Sequence, residues 1–142
     1  MPAGIGTMKL KPLLNISEAA VLALHAVELV AAGPGLKTAP EMAVRLAVSY
    51  NHLAKVMQRL ARAGIVSPVR GPKGGFKLTK KGLNCTIGDV LAAVDGSAVY
   101  SDCLFGGLAC KMGACPFRAF LRGTNARLKN LLGRKVREIG RR

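Results

Sequence analysis

Cys103, Cys110 and Cys115 carry the most specific chemistry in this sequence. They are spaced C-x6-C-x4-C, within one short stretch that could wrap a metal ion or a cluster. Thiolates are the usual ligands of iron–sulfur centres and frequent ligands of zinc. Three cysteines are one ligand short of a closed site, and the spacing matches neither the ferredoxin nor the zinc-ribbon patterns. Spacing alone therefore leaves a cluster, a structural zinc site and a cluster-free thiol switch open. Cys85 stands outside this stretch and reads as a small packed residue. His25, placed on the apolar side of the first helix, reads as a core residue. Seven acidic residues, two histidines and no nucleophile–base arrangement give catalysis little to work with, so the chain is not expected to be an enzyme.

The charge points to a different partner from any small substrate. Twenty-two Lys and Arg face seven Asp and Glu, a formal charge of +15, which is far more than solubility requires and predicts a polyanionic partner. Lys37 to Lys81 holds ten basic residues against Glu41 alone, and Lys111 to Arg142 holds ten against Glu138 alone. Two basic faces follow, separated by a nearly neutral stretch.

The elements that must position these groups can be read in order. The 142 residues suit a compact domain, and with 4% aromatics and no Trp the core must be built from Ala, Val, Leu and Ile. Residues 1–7 show no pattern and are set aside as an extension. Ser17 can cap a first helix with apolar positions Ala20, Val21, Leu24, Val27 and Val30, ended by Gly33-Pro34-Gly35. Thr38 and Glu41 have the form of a capping box opening a short second helix with Met42, Ala43 and Leu46. Val48-Ser49 supplies a turn and a new cap. In the third helix Leu53, Val56, Met57 and Leu60 make one apolar stripe, leaving a polar, basic outer face. Gly64 stops it, and Ile65 to Leu78 reads as a hairpin with a basic, glycine-rich tip. Thr86 caps a helix to about Val94, Gly96 to Ala114 is a Gly- and Cys-rich loop, and a last helix is predicted from Pro116 to about Ile139. Its apolar positions include Phe117, Phe120, Leu121, Leu128, Leu131 and Leu132. The predicted fold class is mostly α with a small β-hairpin wing.

Two short helices joined by a tight turn and followed by a basic wing have a mechanical use on duplex DNA. The second helix enters the major groove while the wing reaches the flanking backbone or minor groove. Ser49, Asn51, His52, Lys55 and Arg59 occupy the face such a helix presents. Asn and Arg or Lys can read base edges, whereas an exposed charge such as Arg62 more often meets phosphate. At the wing, Gly74 and Gly75 permit close backbone approach, and Arg70 and Lys73 suit the negative minor groove or its phosphates.

With these residues in hand, the sequence resembles a known family. Val48 to Val56, Leu60, Gly64-Ile65-Val66, Arg70 to Leu78 and Ile87-Gly88-Asp89-Val90-Leu91 are similar to the Rrf-two family of bacterial regulators, in particular its IscR-like and NsrR-like members. The resemblance runs from Met8 to about Ile139. It implies a winged helix-turn-helix, a homodimer held by a long C-terminal dimerisation helix, and two DNA-reading units on a palindromic operator. It also implies a two-iron or four-iron cluster on Cys103, Cys110 and Cys115, since cluster-binding members carry three cysteines in this place. Some members use a His just after the third cysteine, but Pro116-Phe117-Arg118 offers none here. Others supply an acidic residue from the first helix of the opposite subunit, and Glu18 matches that position; its other reading is a favourable charge at the helix N-terminus.

The expected division is 8–96 for the winged helix-turn-helix, 97–115 for the cofactor loop, and 116–142 for the dimerisation helix and basic tail. The function expected is a cytoplasmic, dimeric regulator, a repressor, responding through its cluster to redox state, nitric oxide or iron supply. The rival from another class is a basic RNA-binding or ribosome-associated protein with a structural zinc site. Ala19 to Ala32 is interrupted by His25 and Glu28 and is too short for a membrane span, so no membrane partner is expected.

Overall fold

Ser17 sets where the first helix begins: its side chain accepts the Ala20 N–H at 3.1 Å, and α1 runs Glu18–Ala31. In the computed structural model, which describes residues 15–104 and 113–139, α2 (Ala39–Leu46) and α3 (Tyr50–Arg62) follow. The wing strands are β1 (Val66–Val69) and β2 (Gly75–Leu78). After them come α4 (Lys80–Asn84), α5 (Ile87–Asp95), α6 (Phe117–Leu132) and a 3-10 turn at Val136–Glu138. The chain divides into two compact units, Ile16–Ala98 with Asn130–Arg142, and Met1–Asn15 with Val99–Lys129.

In the first unit the capping residues act as expected. Thr38 and Glu41 form a reciprocal capping box on α2, and Thr86 and Asp89 form another on α5. The hydrogen bonds from Thr38 hold the Glu41 carboxyl below the ordinary carboxylate range. Ala47, at φ 53°, takes the left-handed conformation that makes the turn between α2 and α3 tight, and Ser49 caps α3 by accepting the His52 N–H at 3.2 Å. Leu53, Val56, Met57 and Leu60 are all buried. They face α1, α2, α5 and β1, so one side of α3 is core and the other is free.

The structure revises the sequence expectations at five points. The buried stripe of α1 is Ala20, Leu22, Ala23, Ala26, Val27 and Val30, whereas Val21 is exposed. This face, half of it alanine, packs against α3 and α5. His25 is consequently on the solvent side, its Nδ1 3.8 Å from Glu28 Oε2, and is not a core residue. An isolated bridge also ties the hairpin to Lys37: the Lys37 N–H donates to Phe76 O at 3.2 Å, and the Phe76 N–H to Lys37 O at 2.8 Å. α4 was not expected, because Lys80–Asn84 is too short to show an apolar period. The last helix also ends early, at Leu132. Beyond it the chain folds back as a bridge between Lys135 and Thr86, with the Ile87 N–H donating to Arg134 O and the Val136 N–H to Cys85 O.

In the second unit, Leu121 and Asn125 are buried on α6, while Phe117 and Phe120 are exposed.

Candidate functional site

α3 and the wing belong to one packed unit, so their exposed residues form a defined surface. Ser49, Asn51, Lys55, Arg59 and Arg62 are exposed along α3, and His52 is half-buried. At the wing, the Gly74 N–H donates to Gly71 O at 2.9 Å, closing a four-residue turn that lifts Arg70, Pro72 and Lys73 into solvent. Gly75 is where the wing passes against Lys37. A Cβ there would sit 2.8 Å from Lys37 O, at φ +153°, so only glycine fits without strain.

Among the described residues no carboxylate ion-pairs with a basic side chain of α3 or the wing. The charge on this face is uncompensated, as a phosphate-binding surface requires. Arg59 is partly committed to the fold, since its Nη1 donates to Val94 O at 3.3 Å at the end of α5. The Ser49 hydroxyl accepts an N–H as helix cap and still has its own proton to donate to a phosphate. Two exposed residues escaped the sequence reading: Tyr50, 54% exposed in the first turn of α3, and Arg45 on α2. Tyr50 was overlooked because an aromatic is ordinarily read as core; its place just after the cap was the available signal.

The cysteine loop is described at its two ends. Cys103 and Cys115 are both half-buried, and Cys110 lies outside the described residues. Ahead of Cys103, the Ser101 hydroxyl donates to Cys103 O at 2.6 Å and accepts the Cys103 N–H at 3.2 Å. Behind it, Cys115 O accepts the Arg118 N–H at 3.2 Å in the first turn of α6. Glu18 is exposed at the first position of α1. Cys85 is a different kind of cysteine: it is 3% exposed, and burial, then the nearby Asp89 charge, push its thiol up. A thiol so placed is a poor ligand and a poor nucleophile at neutral pH.

A family model described as "Rrf2: Iron-dependent Transcriptional regulator" matches residues 16–136 of this chain. The chain belongs to the Rrf2 family. The HTH-type transcriptional regulator IscR of Vibrio atlanticus is 31% identical over 93 residues, 65% of this chain and 53% of that protein. IscR of Klebsiella pneumoniae is 34% identical over 93 residues, 65% of this chain and 56% of that protein. The match therefore spans just over half the length of these relatives. Among solved structures, CymR of B. subtilis, described as its global cysteine regulator, superposes with a TM-score of 0.71 at 21% identity, covering 89% of this chain and 95% of that one. T. potens IscR superposes at 0.65 with 20% identity, covering 87% and 83%. The fold of this Rrf2 chain is thus the winged helix of these regulators, mostly helical with a two-stranded antiparallel wing. No described helix is long and apolar enough to cross a membrane.

Proposed function

We propose that this Rrf2 chain is a dimeric DNA-binding repressor whose affinity for a palindromic operator depends on an iron–sulfur cluster. The observation that carries the DNA-binding part is the uncompensated basic face of α3 and the wing, built from Ser49, Asn51, His52, Lys55, Arg59, Arg70, Lys73, Gly74 and Gly75. α3 would lie in the major groove with Asn51 and Lys55 toward base edges, and Arg70 and Lys73 on the wing would meet the minor groove or flanking phosphates. Functionally, 8–96 would read DNA, 97–115 would hold the cofactor, and 116–142 would join two copies. The exposed Phe117 and Phe120 of α6 support that last role, because paired aromatic side chains left in water favour burial against a partner.

The donor chemistry fits a cluster. Cys103, Cys110 and Cys115 supply thiolates, and Glu18 of the partner subunit would supply a carboxylate, a weaker ligand that leaves one corner reactive. When bound, the cluster would supply a centre sensitive to redox state or nitric oxide. A second reading is favoured by the partial exposure of Cys103 and Cys115: a cluster-free switch in which the same thiols respond by oxidation.

Anaerobic purification followed by an absorption spectrum, iron and sulfide analysis, and titration of the chain's own promoter duplex tests the proposal. Brown protein with matched iron and sulfide and duplex-specific binding is expected. Colourless protein with zinc and no iron would overturn the cluster. A preference for single strands or RNA over the promoter duplex would overturn the DNA-binding part.

A further inference from the structure

Asn125 is the one buried polar residue among the described residues, 7% exposed in the middle of α6. A primary amide taken out of water costs free energy unless its donors are met, and here they are met in a specific direction. Nδ2 donates to Ser101 O at 3.1 Å and lies 3.4 Å from Asp102 Oδ1. Ser101 in turn holds Cys103 on both sides, its hydroxyl donating to Cys103 O and accepting the Cys103 N–H. One helical turn further along, Lys129 Nζ stands 4.8 Å from the centre of the Tyr100 ring. Leu121, one turn earlier, is 1% exposed. Residues 121, 125 and 129 are four apart, so they share one face of α6. Asn125 and Lys129 on that face meet the chain immediately before Cys103, all within one compact unit.

We infer that Asn125 is a positioning residue for Cys103: acting through Ser101, it fixes the first cysteine of the loop to α6. The inference deepens the proposed function and rests on it in taking Cys103 as a working thiol. The bonds themselves are independent of what the loop carries. Losing the Asn125 bonds leaves the Ser101 carbonyl without its helix donor and frees the segment to open, which exposes Cys103 without touching the start of α6 at Cys115.

The test is the alkylation rate of each cysteine by iodoacetamide in the reduced, iron-free full chain, resolved by peptide mass spectrometry. In Asn125→Ala, Cys103 should react roughly fivefold to tenfold faster, the ratio that loss of one buried hydrogen bond gives to local opening. Cys115 should stay within about twofold, since its local bond is intact. Cys115 thereby reports unfolding of the unit that holds Asn125, and buried Cys85 reports unfolding of the other. Were Cys85 or Cys115 also to become reactive, Ser101→Ala decides, because it removes the Ser101–Cys103 link and leaves Asn125 in place; the same acceleration confined to Cys103 is expected. An unchanged Cys103 rate in Asn125→Ala with Cys85 protected, or in Ser101→Ala, would overturn the inference. Because iron is absent throughout, a wild-type chain that never binds a cluster would sink the proposed cofactor and leave this result standing.

Discussion

Arg59 and Lys73 are both exposed cations on the candidate DNA face, but the fold uses them differently. Lys73 sits at the wing turn with no partner among the described residues, whereas Arg59 also donates to Val94 O. Lys73→Ala should therefore weaken promoter binding and reduce the salt slope by about one unit with stability unchanged. Arg59→Ala should weaken binding and also lower stability slightly, by under about 1 kcal/mol for one exposed hydrogen bond. Salt-dependent titrations beside denaturant melts check both; unchanged affinity and slope in both variants would remove this surface from the interface. The cysteines separate in the same way. Ser substitution at Cys103, Cys110 or Cys115 should each abolish or destabilise the visible chromophore of anaerobic protein, whereas Cys85→Ser should leave the spectrum intact. A chromophore lost only in Cys85→Ser would mean the ligands are misassigned, against the burial of that thiol.

At the scale of elements, the wing is held by a bridge to Lys37 that no local pattern announces. Lys37 pairs with Phe76, and Gly75 lies against it in a conformation L side chains rarely adopt. Gly75→Ala should cost about 1–3 kcal/mol of stability through backbone strain, and should weaken DNA binding beyond that by displacing the wing tip. Chemical denaturation and promoter titration together test this; a stable variant with native affinity would show that the backbone at Lys37 yields easily. The capping box of α2 adds a pH dependence. Because the Glu41 carboxyl is held below its ordinary value by Thr38, its contribution is present above the unfolded-state value and is lost as pH falls through the folded one. The first turn of α2 should therefore fray in acid, on the low side of the ordinary carboxylate range, and Glu41→Gln should remove that dependence. Amide exchange in 38–42 measures it.

For the whole molecule, the decisive question is whether a site is completed by a second copy. Glu18 is exposed at the start of α1, and its carboxylate forms no ion pair among the described residues, which suits the proposed ligation across the dimer. Under the proposed function, Glu18→Ala should change the cluster spectrum or lifetime and uncouple DNA affinity from cluster state while the proposed dimer stays folded. Mixed dimers of Glu18→Ala and Cys110→Ser subunits should rebuild one complete site if ligation runs between chains. A spectrum untouched by Glu18→Ala, or no recovery in verified mixed dimers, would leave an external small ligand as the fourth partner.

The helix starts, the α3 stripe and the wing were legible in the residues because each depends on neighbours a few positions apart. Ser17, Thr38, Ser49 and Thr86 cap the N–H groups next to them, and Leu53, Val56, Met57 and Leu60 repeat at the helical period. The excess of basic residues likewise predicts a polyanion partner without any fold. What escaped depends on residues far apart in the chain. His25 was misplaced because half of the buried face of α1 is alanine, and small alanines carry too little hydrophobic signal to reveal which face they cover. The early end of α6 and the return of 134–136 to 85–87 rest on backbone hydrogen bonds, which any side-chain sequence could make. Asn125 is the sharpest instance: on a helix an asparagine reads as solvated, and only the arrival of Tyr100 to Cys103 against α6 turned it into a buried tether for the first cysteine of the loop.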